Sequence, residues 1–200
     1  FPIADSTVVS WKNDAASGGT CAPPQCDASG NFKISTGESA ALGPKKITGK
    51  LEVDNGAILT VNGTLWVVGD IILSNNCVIR LNPGYGVSSG IIISDGKLTI
   101  SNNCTFQGSG SPESYIMVLS DKNAPGEEIM TVDNNSVGVI YYAAKGWIKF
   151  SNNAVAKQAT ARGIRLDNNA SLGYEIGLAN LKFSAGPSAG YEVKYWKEVE

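Results

Sequence analysis

The sequence predicts an all-β chain: a single-stranded parallel β-helix of about six coils, with a short N-terminal capping helix and a C-terminal closing strand. Two observations carry the prediction. The tetrapeptide Ser-Asn-Asn-Cys stands at 74–77 and again at 101–104, and looser copies recur along the chain. Each copy follows a short stretch in which apolar residues alternate with others, the period of a half-buried strand.

Six segments align: LEVDNGA (51–57), IILSNNC (71–77), LTISNNC (98–104), MTVDNNS (130–136), IKFSNNA (148–154) and IRLDNNA (164–170). Leu51, Ile71, Leu98, Met130, Ile148 and Ile164 form one apolar column. Val53, Leu73, Ile100, Val132, Phe150 and Leu166 form the next. Residues two apart on a strand face the same way, so both columns point into one interior. Between them Glu52, Ile72, Thr99, Thr131, Lys149 and Arg165 are mostly polar and face out. Asn55, Asn75, Asn102, Asn134, Asn152 and Asn168 mark a tight bend, because Asn and Gly tolerate the left-handed backbone conformation. Coils stacked about 4.8 Å apart let identical Asn side chains hydrogen-bond in a ladder. One coil buries too little to offset the ordering of its backbone, so the repeats must stack and need capped ends. Their uneven spacing reflects loop insertion, as at Asn82–Ser89 and Ser109–Glu113.

One structural domain is expected. Residues 1–46 read as an N-terminal cap of a short helix plus a disulfide loop, 47–176 as the β-helix repeats and 177–200 as a C-terminal cap. Asp5–Ala16 opens with capping-type residues and sets Val8, Trp11 and Ala15 at helical spacing before Gly18 and Gly19. The helix is expected against the open N-terminal end or along the side of the stack. Tyr191–Val199 alternates and reads as the closing strand.

Cys21-Ala-Pro-Pro-Gln-Cys26 is expected to close as a disulfide, its prolines holding the loop ends together. A zinc site would need Cys77 and Cys104 as well, and neither belongs to a Cys-x-x-Cys pair. Those two occupy the small-residue column in consecutive coils, where the other copies carry Ala57, Ser136, Ala154 and Ala170. Their Cα atoms should lie about 4.8 Å apart, inside the disulfide range of about 4.4–6.8 Å. They form either a cross-coil disulfide or two buried thiols in place of alanine. An even cysteine count with plausible pairings points to an oxidising compartment.

The chain has 16 Lys and Arg, 18 Asp and Glu and no His, for a formal net charge of −2. Without histidine there is no Ser-His-Asp or Cys-His nucleophile system and no His-metal site. No Lys/Arg run exists, so nucleic acid is not an expected partner. No apolar stretch approaches the ~20 residues of a membrane span, so this segment is not expected to insert into a membrane. No signal-peptide pattern opens the chain at Phe1, as expected of a mature chain or a piece of a larger one.

β-Helices often act on polysaccharides with outward carboxylates. Here Asp54, Asp133 and Asp167 alternate with Ser in the bend column, the interchange that turn capping wants. Glu52 stands several coils from Lys149 and Arg165, and no compact carboxylate pair emerges, so no catalytic residue is assigned. The Asp121–Glu128 loop holds oxygen donors, but its spacing matches no calcium loop and Lys122 sits among them; neither a metal nor another cofactor is expected. The glycosylation triplets at Asn62, Asn103, Asn134 and Asn169 fall mostly in the ladder, where a glycan would block stacking.

The candidate binding surface is the outward column after the small residue: Ile58, Val78, Thr105, Val137, Val155 and Ser171. β-Branched residues suit a flat sheet, yet an uncovered aliphatic stripe is unusual on a soluble monomer. The expectation is that the N-terminal helix covers it through Val8 and Trp11; otherwise a partner does.

The stretch ALGPKKITGKLEVDNGAILTVNGTLWVVGDI (41–71), the SNN and DNN repeats and the ending GLANLKFSAGP…YWKEVE together resemble a known kind of bacterial protein. They are similar to the surface regions that follow a pilin-like N-terminal helix in type IV pilus-associated, PilX-like proteins. The resemblance implies an exported β-helix at the extracellular or cell-envelope surface, with no known catalytic residues and with the pilin helix upstream of Phe1. The expected function is a non-enzymatic extracellular structural or adhesive surface module, pilus-associated, whose partners are protein or glycan surfaces or pilus subunits. The alternative is a carbohydrate-active β-helix enzyme or a carbohydrate-binding module.

Overall fold

Three-residue strands with apolar first and third positions can each bury two side chains, and here each finds its partner one turn further along the chain instead of in a hairpin. The computed structural model describes residues 3–137, 140–173 and 183. Helix α1 (Asp5–Ser17) leads into a first turn of β1 (Phe32–Ile34), β2 (Ser39–Leu42) and β3 (Lys45–Ile47). It is retraced by β4 (Leu51–Val53), β5 (Ile58–Val61) and β6 (Leu65–Val67), then by β7 (Ile71–Leu73), β8 (Val78–Leu81) and β9 (Gly90–Ser94). β10 (Leu98–Ile100), β11 (Thr105–Gln107) and β12 (Ile116–Ser120) follow, then β13 (Glu128–Val132) and the long β14 (Ile140–Phe150). β15 (Val155–Ala156), the long β16 (Gln158–Leu166) and β17 (Ser171–Leu172) complete the described strands.

Every strand pairing among the described residues is parallel, which makes the fold an all-β parallel helix. β1, β4, β7, β10, β13 and the end of β14 pair in that order on a first face. β2, β5, β8 and β11 make the second, and β3, β6, β9, β12 and the start of β14 the third. β14 and β16 run on through the corner between the third and first faces and pair with each other along both. The two predicted apolar columns stand in register and are buried up to Ile148 and Phe150; Ile164 and Leu166 in β16 are more exposed. The ladder also reaches back one segment further than the aligned repeats. Phe32-Lys33-Ile34 pairs with Leu51-Glu52-Val53, so strands lie inside the stretch 1–46 expected as a cap. Its bend, Ser35-Thr36-Gly37, has no Asn to mark it; Gly37 at φ 72° supplies the left-handed residue.

At 75–76, 102–103, 134–135, 152–153 and 168–169 both asparagines hold positive φ, from 48° to 65°. At the 54–56 bend only Gly56 does. Two side-chain ladders result. In one, Asn102 Nδ2 donates to Asn75 Oδ1 (2.5 Å) and Asn134 Nδ2 to Asn102 Oδ1 (2.6 Å). In the other, Asn103 donates to Asn76 (3.0 Å) and Asn135 to Asn103 (3.2 Å). The first ladder is diverted at Asn152, whose amide donates to Asp133 Oδ1 (2.6 Å), and it resumes from Asn168 to Asn152 (3.0 Å). Asn55 is met by Asn76 at 3.4 Å. Backbone amides of the second bend residues donate to the first-Asn carbonyl of the next turn, as from Asn76 to Asn102 (2.6 Å) and Asn103 to Asn134 (2.7 Å).

Cys21 and Cys26 are disulfide-bonded with Cα atoms 5.6 Å apart. Cys77 and Cys104 form the cross-coil disulfide, with Cα atoms 4.6 Å apart, so the free-thiol alternative falls. Two disulfides belong to an oxidising, non-cytoplasmic compartment. No helix among the described residues is long and apolar enough to cross a membrane.

Helix α1 lies along the third face. Alternation buries Leu65 and Val67 inward and leaves Trp66 pointing out; in register with Trp66 come Ile93, Leu119 and Tyr142. Ile91 and Met117 share that outer side, and these outward residues of β9 and β12 are as buried as the core. A 13-residue helix is about 20 Å long, enough to span four coil steps of about 4.8 Å. Val8, Trp11 and Ala15 face the sheet and are buried. Lys12 Nζ sits 2.7 Å from Asp95 and 2.6 Å from Asp121, the residues that follow β9 and β12, and Lys145 Nζ joins Asp121 at 2.6 Å. The C-terminal cap 177–200 and its expected closing strand lie outside the described residues except for Phe183, whose ring centroid is 6.2 Å from that of Trp11.

Asn152→Leu is expected to lose about 1–3 kcal/mol in urea unfolding, because it removes two ladder bonds and sets a branched side chain at φ 54°; an unchanged midpoint contradicts the ladder's role. A second expectation concerns pH. Burial by itself raises the Asp121 pKa, but the hydrogen bonds from Lys12 and Lys145 outweigh it and hold the carboxyl below its usual range. Its contribution is present above the unfolded pKa of about 3.9 and is lost as pH falls through the folded value. For Lys12, burial opposes the charge, but bonds to Asp121 and Asp95 win and raise its pKa. That contribution is complete below about pH 10.4 and is lost as pH rises through the folded value. Near-UV circular dichroism should therefore report a docked helix across the neutral range, with an acid limb that flattens in Asp121→Asn.

Candidate functional site

The outward column predicted from the repeat is continuous in space. Ile58 pairs with Val78, Val78 with Thr105, Thr105 with Val137, Val137 with Val155 and Val155 with Ser171. Val137 and Val155 are 44% and 38% exposed, Ser171 is exposed, and Ile58, Val78 and Thr105 are half-buried. The column lies on the second face, whereas α1 lies on the third, so the expected cover by Val8 and Trp11 is overturned. The physical reason is area and charge. Outward Ile91, Ile93, Met117 and Leu119 offer α1 larger apolar side chains than a valine stripe does, and Asp95 and Asp121 beside them anchor Lys12.

Beside the stripe runs a polar column. Thr60, Arg80 and Gln107 are in register, and Arg80 Nε donates to Thr60 Oγ1 at 3.1 Å. Loops at 83–88 and 108–114 rise at its edge and bound a groove of about 530 Å³ with Arg80, Gln107 and Ser111 in its lining. The two loops are tied together: Ser109 Oγ donates to the Gly86 carbonyl and Ser114 Oγ to the Ser88 carbonyl (2.7 Å). The second face thus presents a flat aliphatic strip flanked by a preformed polar wall.

The bend carboxylates are engaged inside the protein. Asp133 Oδ1 accepts from the Asn134 amide (2.8 Å), Ser151 Oγ (3.1 Å) and Asn152 Nδ2 (2.6 Å). Asp54 pairs with Lys33 at 3.0 Å and Asp167 with Arg165 at 3.0 Å. In the 121–128 loop, Asp121 holds Lys12 and Lys145, Glu127 pairs with Lys97 (3.1 Å) and Glu128 with Arg165 (3.6 Å). Register keeps Glu52 several turns from Lys149 and Arg165, as the repeat spacing implies.

Trp147, which the repeat pattern does not single out, projects from the first face and is 40% exposed. Its only signal was a large aromatic at an outward position just before the IKFSNNA repeat. Comparison with family models gives no match, and neither curated proteins nor solved structures match the chain.

Removing residues 1–18 is expected to uncover Ile91, Ile93, Met117 and Leu119, to lower the melting temperature and to raise binding of an apolar dye. The rise on truncation should be the same size when Val137→Lys is present in both the intact and the truncated chain. A smaller rise in that background would return the helix to the stripe.

Proposed function

We propose that this chain is a non-enzymatic structural and adhesive module of the cell-envelope surface that docks on a neighbouring subunit, a pilus subunit included, through the column from Ile58 to Val155. The observation that carries the reading is that this aliphatic column is in register along the second face and no element of the described fold lies over it. A partner that covers it removes apolar area from water without first reorganising the sheet, since β-branched side chains on stacked strands have little freedom to lose. Two disulfides suit a surface exposed to oxidising conditions. The resemblance of 41–71 and of the repeats to the exported regions of PilX-like proteins points the same way. In this reading the module acts by shape and contact, with the outward carboxylates of Glu52, Asp54, Glu127, Glu128 and Asp167 held in ion pairs.

A photo-crosslinking residue at Val137, in the full-length protein on its own cells, should give an adduct with an envelope or pilus subunit. Val137→Lys with Val155→Lys should abolish that contact while the purified chain keeps its melting temperature. Adducts that form equally well from Thr131, on the first face, would sink the reading.

A further inference from the structure

We infer that Trp147 is a stacking platform for an uncharged pyranose ring, a carbohydrate-binding site on the first face separate from the docking stripe. This inference does not rest on the stripe. Ile148 and Phe150 point inward and are fully buried, so Trp147 and Lys149 stand on the outer side of β14. The residue beside Trp147 on β16 is Gly163. A Cβ at that position would come within 2.6–2.8 Å of Cδ2, Cε2 and Cε3 of the indole, the atoms of its fused bond and benzo ring. The glycine backbone therefore faces the flat of the ring and not its edge, and the indole lies across β16 because Gly163 leaves room for it. Its Nε1–H donates to the Pro125 carbonyl at 3.2 Å and its backbone amide to the Glu127 carbonyl at 2.9 Å, so the ring is fixed before any ligand arrives. The side chain is 40% exposed, so part of the fixed ring meets water.

The rim of the platform is polar and electrically balanced. Arg165 stands two residues beyond Gly163 on the same side, about 7 Å along the strand. Its guanidinium contacts Glu128 (3.6 Å) and Asp167 (3.0 Å), and Lys149 reaches Asp167 at 3.8 Å. Two cations thus meet two carboxylates. A pyranose ring has a face of C–H groups and an equatorial rim of hydroxyls. The C–H face matches the electron-rich face of an indole, and the hydroxyls match guanidinium and carboxylate groups at its edge. A protein anchor residue is instead expected in a well-packed pocket from which water is excluded, and this ring is 40% exposed beside charged side chains. Because the rim carries no net charge, it favours a neutral sugar over an acidic one.

The test is a titration of the ¹⁵N-labelled chain, with the Trp147 indole signal identified by its loss in Trp147→Phe. The probes are hexasaccharides of β-glucose, β-mannose, β-galactose and β-N-acetylglucosamine, with an α-galacturonic acid hexamer as the charged arm. At least one neutral hexamer should shift the Trp147 signal. Trp147→Ala should weaken that binding at least about tenfold, and Trp147→Phe should keep part of it. Gly163→Val, which lifts the ring, should weaken it as well; should that variant not fold, the two Trp147 substitutions still decide. Val137→Lys with Val155→Lys should bind the sugar as the native chain does, which separates this site from the docking reading. The inference is overturned if no neutral hexamer moves the signal, if Trp147→Ala binds as tightly as the native chain, or if only the galacturonic hexamer binds.

Discussion

At the five Asn-Asn bends two successive residues take the left-handed conformation, and at 54–56 Gly56 alone does; this sets where the chain leaves one face and enters the next. The conformation is strained for most L-residues and least so for asparagine and glycine. Asparagine also returns hydrogen bonds, since its amide reaches the equivalent residue in the neighbouring turn. With bends stacked this closely, the next residue points into the corner and must be small, which is why Ala57, Cys77, Cys104, Ser136 and Ala154 are fully buried. In-register strands on either side of the bend follow, and with them the two inward columns that form the core.

One interior supports three different exteriors. The first face carries paired charges and Trp147, the second an aliphatic column beside a polar wall, and the third an apolar surface sheathed by α1. The third face shows how burial and charge combine. Apolar contact holds the helix, but apolar contact alone does not choose its position along the axis. Lys12, between Asp95 and Asp121, fixes that position because it can pair with both carboxylates at only one height. Trp66 helps: its indole donates to Asp95 at 2.8 Å, and Lys46 lies over its ring at 4.1 Å.

The parts of this fold that recur were legible in the sequence. Alternation and the asparagine marker define both inward columns and place Cys77 beside Cys104 from spacing alone. The bend at Ser35-Thr36-Gly37 escaped because glycine alone supplies its left-handed residue, leaving no asparagine to align. The helix does lie along the side of the stack, but the face it takes escaped, although a signal existed: Ile91-Ile92-Ile93 and Ile116-Met117-Val118-Leu119 break the alternation, as strands buried on both sides do. The stripe itself was readable as a column, but what covers a surface depends on contacts far apart in the chain. Trp147 on Gly163 was not readable, because a ring lying on a backbone one turn away leaves no local pattern.

The covalent link between Cys77 and Cys104 has a mechanical consequence. A stack of coils pulled from its ends would otherwise unwind turn by turn, each turn lengthening the chain as its rungs part. The link closes a loop 27 residues apart in sequence, so that loop cannot be paid out under load. At about 3.3–3.6 Å per extended residue, roughly 90 Å of contour is withheld. Under load, the middle of the stack behaves as a fixed joint, and any extension is confined to the turns on either side of it.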